Sequence, residues 1–170
     1  ILVKVATSFT SIDNARKNLA AEIPGWNFNE VRQASSNICN QALGQIAVKG
    51  NNEKEKVKFY SALYNAHFLP RTFSDVDGSY PRFDGDGQIM KMDHGTYYCD
   101  FSQWDTYRAV HPLFSILTPS RNGDMAHSLV LKGQQGGWLP IFPSWNSYTA
   151  AMIGDHCIAM IGDAIVKDTP

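Results

Sequence analysis

The chain has 170 residues, of which 44% are hydrophobic and 18% are charged, a composition typical of one packed globular domain. Lysine and arginine together number 15 against 16 aspartate and glutamate residues, so no excess of charge favours a nucleic acid or an anionic membrane as partner. The longest apolar runs are only a few residues, far below the roughly 20 that a membrane-spanning helix needs. At the start of the chain a signal peptide can be neither recognised nor excluded.

The first predicted elements are one strand and two helices. Residues 1–9 read ILVKVATSF, a β-rich run, and the apolar residues that follow recur at helical spacing up to Pro24. Asn27 and Glu30 have the spacing of a capping box, which predicts a helix from Phe28 to about Gly44. A lone strand leaves its backbone groups unpaired, so the N-terminal strand needs neighbours from elsewhere. The chain is therefore predicted to be part of something larger.

The rest of the chain is predicted to be helical apart from one long loop region. Charged residues cluster after Glu53, and an apolar stripe that includes Val57 and Leu63 predicts a helix that ends near Pro70. Residues 70–99 carry repeated Asp-Gly turns between short extended pieces, an organisation that often builds a functional site. Helical periodicity returns in three further segments, residues 104–117, 119–132 and 148–166.

The cysteines and most histidines carry no recognisable metal or redox pattern. Cys39, Cys99 and Cys157 lie about sixty residues apart without a CxxC spacing, which fits neither a zinc site nor a disulfide framework. We predict that all three are buried free thiols. Four histidines without ligand spacing are interpreted as surface or core residues: His67, His94, His111 and His127.

Four aspartates between Thr72 and Gly87 raise the question of a calcium loop. An EF-hand loop that began at Asp75 would need glycine at its sixth position and glutamate at its twelfth, but Tyr80 and Asp86 stand there. Starting at Asp84 fails in the same way. Turn chemistry, with aspartates capping their own backbone, is favoured over a role in a pocket.

The segment from Tyr97 to Arg108 is the strongest local candidate for a site. It reads YYCDFSQWDTYR and contains five aromatic residues, two carboxylates and an arginine. Sugars present apolar C–H faces and a ring of hydroxyls, so a sugar site needs an aromatic surface beside charged hydrogen-bonding groups. Trp104 and Asp105 supply that combination. The alternative is an aromatic core helix in which Asp105 caps a turn and Arg108 pairs locally.

A second aromatic loop is predicted from two runs, Gly136–Pro140 and Pro143–Asn146. It is placed just before the last helix, whose first turn offers free backbone N–H groups to a polar ligand. Within that helix Asp155 and His156 are polar residues in an apolar stretch. They are predicted either to make an internal hydrogen bond or to form the rim of a pocket.

The glutamates restrict where an acid catalyst could come from. All of them lie in the first third of the chain on predicted solvated faces: Glu22, Glu30, Glu53 and Glu55. An acid and a base for a site in the second half would therefore be aspartates or would come from outside the chain.

Several of these segments resemble signatures of glycoside hydrolase family 92, in order and over essentially the whole chain. The matching runs are FYSALY from Phe59, FSDVDG from Phe73, Tyr97-Tyr98, FSQWDTYR from Phe101, and WNSYTAAMIGDH from Trp145. The resemblance implies a mainly α fold, the first part of an (α/α)6 toroid preceded by linker helices and the last strand of a β-sandwich. It places the sandwich strand at residues 1–10, the linker helices at 11–52 and the toroid portion at 53–170.

This family consists of exo-acting α-mannosidases that invert the anomeric centre and require calcium. The resemblance implies that the catalytic Glu acid, the Asp base and the main calcium ligands lie outside this chain, which would then hold no catalytic or metal residue and be inactive alone. It also implies that Trp104 and Asp105 bind the terminal mannose. The candidate substrate-binding residues are Trp104, Asp105, Arg108, Asp155 and His156.

The expected partners are a mannose-containing glycan, such as an N-glycan, and the remainder of the parent polypeptide, and we expect a secreted or periplasmic location. Some members of the family have Asn-Glu-Thr where this chain has Ser147, Tyr148 and Thr149, so the preferred mannosidic linkage stays open. Two other functions are possible from the sequence. One is a noncatalytic carbohydrate-binding or scaffold domain, and the other is a different (α/α)n carbohydrate enzyme with other carboxylates beyond Pro170.

Overall fold

A computed structural model describes residues 1–168. These residues form seven α-helices and four short β-strands, which confirms the predicted mainly helical class. Their arrangement in an (α/α)6 toroid stays a prediction. The first three helices are α1 (Ile12–Glu22), α2 (Phe28–Leu43) and α3 (Glu53–Ala66).

These helices begin where short polar side chains satisfy their free backbone N–H groups. The Asn27 side-chain oxygen accepts hydrogen bonds from the N–H groups of Asn29 and Glu30, so the predicted start of α2 is confirmed. The Glu30 carboxylate in turn accepts from the Asn27 side-chain amide at 2.8 Å, a variant of the capping box in which the side chain replaces the backbone donor. Ser11 and Asn52 cap α1 and α3.

The loop-rich segment that follows α3 contains two small antiparallel sheets. Residues Arg71–Thr72 pair with Tyr98–Cys99, and Ser79–Pro81 pair with Ile89–Lys91, with Tyr80 opposite Met90. Gly78 and Gly87 adopt φ values of +82° and +85°, so two of the predicted Asp-Gly turns rest on glycine's access to positive φ. The strands are β1 (Arg71–Thr72), β2 (Ser79–Pro81), β3 (Ile89–Lys91) and β4 (Tyr98–Cys99).

The second half of the chain is helical, but two predicted helices differ from the structure. The single helix predicted over residues 104–117 is broken, because Ala109 leaves helical geometry with φ −145°. The helix predicted from residue 119 is confirmed and continues until Gly137, whose φ of +101° ends it. The four helices are α4 (Gln103–Thr106), α5 (Val110–Leu117), α6 (Pro119–Gly136) and α7 (His156–Val166).

The helix predicted over residues 148–166 is wrong in its first half. Ala150, Met152 and Gly154 have φ values of +53°, +64° and +101°, and a right-handed helix needs negative φ. Helix α7 therefore begins only at His156, and Asp155 precedes it. The loop around Trp145 consequently does not lead directly into a helix, so its predicted proximity to free helix N–H groups is also wrong.

Two apolar clusters hold these elements together. One lies among α5, α6 and α7, and the other lies under the two small sheets, where the rings of Tyr80 and Tyr97 stack with their centroids 3.9 Å apart. The fully or almost fully buried residues of the first cluster include Phe101, Phe114 and Leu129. Both clusters border the segment that runs from β4 into α4, so they fix the backbone of the predicted sugar site.

The N-terminal residues do not form the predicted strand. Within the described residues, positions 1–8 pair with no strand, and their assignment to a β-sandwich stays a prediction. The end of this segment is nevertheless anchored. The Phe9 ring stacks on that of Phe73 at 3.8 Å.

Asp75 anchors the same segment through its side chain. It is buried and accepts hydrogen bonds from four side chains of the N-terminal region, Ser8, Thr10, Asn14 and Asn18. Burial works against ionisation, but these hydrogen bonds outweigh it and hold the pKa of Asp75 below its ordinary value. The predicted turn capping is thus wrong for Asp75. It is confirmed for Asp77 and Asp86, which accept from the N–H groups two residues ahead at 3.1 Å.

Helix α2 has no buried residue, which explains an error in the cysteine prediction. Cys99 and Cys157 are buried free thiols as predicted, but Cys39 lies on α2 and is exposed. Over the residues that the structure covers, no helix combines the length and the apolarity required to cross a membrane.

Candidate functional site

The predicted sugar site forms around α4, where one cation lies against two aromatic rings. The Arg108 guanidinium carbon is 5.1 Å from the ring centroid of Trp104 and 5.0 Å from that of Tyr107. Trp104 is half-buried and Arg108 is exposed, so the indole keeps part of its surface open to solvent. Arg108 lies two residues beyond the end of α4, in the turn that follows the helix, and this turn brings its guanidinium onto Trp104.

His156 joins this cluster from a distant part of the sequence. Its ring lies edge-on to Tyr107 with the centroids 4.3 Å apart, because the first turn of α7 packs against α4. Gly154 gives the imidazole its space, since a Cβ there would come 2.6 Å from His156 Cε1. Nδ1 of His156 is buried and has no hydrogen-bond partner among residues 1–168. One buried ring nitrogen beside the aromatic cluster is thus left without a hydrogen-bond partner within the described residues.

Asp105 is exposed next to this cluster. Its Oδ2 accepts a hydrogen bond from Ser102 Oγ at 2.6 Å, and within the described part of the chain its second oxygen makes no hydrogen bond. This contact is local, but its donor is a side-chain hydroxyl and not a backbone N–H, so it is not the turn cap that the alternative describes. The exposure of Asp105 and the half-burial of Trp104 do not match the sealed core helix of that alternative. The free carboxylate oxygen can accept a hydrogen bond from a sugar hydroxyl. The neighbouring indole can contact the apolar face of the same sugar.

The structure thus brings together Trp104, Arg108 and His156, with Asp105 on the next position of α4. Asp155 precedes α7 and is exposed, and its side chain does not cap the helix. The assignment of all five residues to a substrate site stays a prediction. Tyr107 was not singled out in the sequence, although it lies in the aromatic segment, because its contact with His156 spans 49 positions of the chain.

A buried polar cluster supports the neighbouring loops. Asn146 is 6% exposed, and its side-chain amide donates to the Pro81 carbonyl at 2.6 Å while its oxygen accepts from Tyr97 Oη at 2.7 Å and Lys132 Nζ at 3.3 Å. Lys132 is fully buried with Nζ 3.6 Å from the centre of the Tyr97 ring. Burial lowers the pKa of Lys132 to about 7, and burial raises the pKa of Tyr97. This cluster was not predicted from the sequence.

The cavity between α3, β1 and α6 is separate from these residues. It encloses about 230 Å³, and its lining includes His67, Arg71, Tyr98 and Arg121 but none of the five predicted site residues. A sugar site needs an aromatic surface with polar groups more than an enclosed volume. The predicted site accordingly lies on an open face of this chain.

The described residues do not by themselves fit the calcium centre that the resemblance implies. In the region 1–168, no three or more histidine, cysteine, aspartate or glutamate side chains are placed to hold one metal ion. Calcium takes six to eight oxygen ligands, several of them carboxylates. No catalytic step can therefore be assigned to a metal bound by this chain alone.

The sequence matches the model of the Glycosyl hydrolase family 92 catalytic domain over residues 14–170. The chain belongs to glycoside hydrolase family 92. The family GH92 α-mannosidase BT3965 from Bacteroides thetaiotaomicron is similar in structure, with 35% sequence identity and a TM-score of 0.89. The match covers 96% of this chain and 22% of BT3965. The family 92 inverting mannosidase BT2199 from the same organism has 28% identity and a TM-score of 0.87, again over 96% of this chain and 22% of its own.

A curated relative comes from the fungus Arthroderma benhamiae. It is described as an uncharacterized secreted glycosidase and is 31% identical over 112 residues, which is 64% of this chain and 13% of the relative. The chain thus spans about a fifth of the length of the solved mannosidases and less of this glycosidase. The family 92 resemblance inferred from the motifs is confirmed, whereas the activity of the whole protein has to be proposed.

Proposed function

We propose that this chain forms part of the terminal-mannose site of an exo-acting α-mannosidase that works with inversion. The observation that carries the proposal is the half-buried Trp104 covered on one side by Arg108, with the exposed Asp105 beside it. The indole would contact the apolar face of the sugar, and the free oxygen of Asp105 would accept from its hydroxyls. Similarity to the α-mannosidase BT3965, one structure of which contains mannoimidazole, supports mannose as the sugar.

The proposal assigns bond cleavage to groups outside this chain. Inversion needs two carboxyl groups about 6.5 to 9.5 Å apart with a water molecule between them, and one must be protonated. The four glutamates are all exposed and lie on α1, α2 and α3, within the first 55 residues. Only aspartates accompany the aromatic cluster. The general acid, the general base and the calcium ligands are therefore proposed to belong to other parts of the parent polypeptide.

We also propose the partners and the location of the protein. The substrate would be an α-mannoside or an N-glycan with terminal mannose, and the remainder of the parent polypeptide would complete the site. A secreted or periplasmic location is proposed because the fungal relative is described as secreted.

The test is Asp105→Ala in the complete polypeptide that carries this chain. Loss of a strong polar contact to the reacting sugar should lower kcat/KM on α-mannosides by about 10²- to 10³-fold, or roughly 3 to 4 kcal/mol. Asp86→Ala is the matched control, because Asp86 is also an exposed aspartate that bonds only to a local neighbour. Values within about twofold of the parent for Asp105→Ala would refute the role of Asp105.

Two further measurements separate the proposal from its alternatives. The product released first should have the inverted anomeric configuration, and the isolated 170-residue chain should show no turnover with calcium present. Robust turnover by the isolated chain would contradict the assignment of cleavage to outside groups. Mannose binding by the complete polypeptide without any turnover would favour the noncatalytic carbohydrate-binding domain instead.

A further inference from the structure

A tight turn presents Trp145 to solvent in a strained backbone conformation. The side chain is 68% exposed, and Trp145 and Asn146 have φ values of +51° and +61°. Ser144 and Ser147 flank the turn and exchange two N–H to carbonyl hydrogen bonds of 3.1 Å. Positive φ is uncommon for residues other than glycine and costs on the order of 1 to 3 kcal/mol, so surrounding contacts must maintain it.

Those contacts come from beneath the turn. Asn146 is anchored by the buried polar cluster described above, and its N–H points to the Cys99 sulfur at 3.2 Å. The Trp145 N–H donates to Asp100 Oδ1 at 2.8 Å, and Asp100 is itself buried with a φ of +60°. The contacts of Asn146, the Trp145 N–H and Asp100 thus hold the indole at the surface. A tryptophan without a function would be more stable if its apolar ring were buried.

Arg71 completes the arrangement. Its Nε donates to Asp100 Oδ2, and its guanidinium carbon lies 4.7 Å from the Trp145 ring centroid, which is cation–π distance. In the part of the chain that the structure describes, the terminal nitrogens of Arg71 have no hydrogen-bond acceptor. One ring face is therefore stabilised by a cation that still carries free donors, and the remaining exposed surface of the indole is available to a ligand.

This turn is connected to the segment that carries the proposed mannose site. The Phe101 N–H donates to the Pro143 carbonyl at 3.1 Å, and Asp100 lies four residues before Trp104 in the chain. We propose that Trp145 and Arg71 form a second sugar contact, which binds the ring of the glycan residue next to the terminal mannose. The indole would stack on the apolar face of that pyranose, and Arg71 would donate to its hydroxyls. This inference rests on the proposed function.

The experiment compares two substrates of the complete polypeptide that differ beyond the terminal mannose. An α-linked mannose disaccharide has the second ring, whereas α-mannosyl fluoride has a single atom as its leaving group. Trp145→Ala should lower kcat/KM roughly five- to tenfold on the disaccharide and less than about twofold on the fluoride. Trp145→Phe should retain most of the activity on the disaccharide because it keeps an aromatic plate.

Trp26→Ala is the matched control, since Trp26 is also an exposed tryptophan and has Lys4 Nζ 4.4 Å from its ring centroid. It should change neither rate. If Trp145→Ala lowered kcat/KM equally on both substrates, or on neither, the second sugar contact would be overturned. The proposed function would still hold in that case, because the wild type is active. A wild type that turned over neither substrate would instead refute the proposed function, and this inference with it.

Discussion

Lys132 gives a quantitative prediction about stability and pH. It is 0% exposed, and burial lowers its pKa to about 7. An unfolded lysine titrates at a pKa of about 10.4, so near neutral pH the unfolded chain binds a proton that the folded chain releases. Because the unfolded state binds more protons, the free energy of unfolding must rise as the pH increases above 7. Below that pH both states are protonated, and the full penalty of about 4 to 5 kcal/mol is present.

The measurable effect is a difference in pH dependence between the wild type and Lys132→Met. Between about pH 7 and about pH 8.5, the wild type should gain about 1.5 kcal/mol of unfolding free energy relative to the variant. Methionine fills similar volume without a titrating group, and any constant change in packing cancels from the slope. The upper limit avoids the range in which the buried thiols of Cys99 and Cys157, whose pKa values burial raises, begin to oppose the gain.

Denaturant unfolding at several pH values measures this difference directly. Lys54→Met is the control, because it removes an exposed lysine at the first turn of α3 and should leave the wild-type slope unchanged. Curves for the wild type and Lys132→Met that stay parallel within about 0.5 kcal/mol over this range would refute a deprotonated, buried Lys132.

Two other substitutions test how the loops are held. Gly154→Ala would place a Cβ 2.6 Å from His156 Cε1 at a φ of +101°, so it should lower stability by about 1 to 3 kcal/mol and reduce mannosidase activity of the complete polypeptide, as followed by thermal unfolding and kcat/KM. Gly50→Ala is the control, because a Cβ added at Gly50 meets no atom within 4 Å, and it should leave stability nearly unchanged. Equal losses of stability for the two variants would contradict the close contact between Gly154 and the His156 ring. Asp75→Asn removes the carboxylate that holds the N-terminal segment, so limited proteolysis before α1 should become faster, with a local loss of about 1 to 3 kcal/mol. Unchanged cleavage relative to the exposed-site control Asp13→Asn would argue against this anchor.

Local patterns predicted the elements whose determinants lie close together in sequence. The capping-box spacing of Asn27 and Glu30 predicted the start of α2, because the two residues that form the cap are only three positions apart in the sequence. The helix expected from Tyr148 failed because apolar periodicity does not report the positive φ that Ala150 and Met152 adopt in their tertiary surroundings.

The parts of the site that depend on distant contacts could not be predicted. His156 reaches Tyr107 because the first turn of α7 packs against α4. Trp145 reaches Arg71 because the Asp100 carboxylate accepts hydrogen bonds from both residues. One missed residue did have a signal. Lys132 follows Ser128 and Leu129 at helical spacing on the buried face of α6, so its position alone indicated a buried lysine.

The most direct test of the proposed sugar site is a structure of the complete polypeptide with mannoimidazole, the compound bound in one structure of BT3965. We expect the sugar-like ring to lie against Trp104 and its hydroxyls to be within hydrogen-bond distance of Asp105. A ring bound with both side chains remote from it would contradict the central claim.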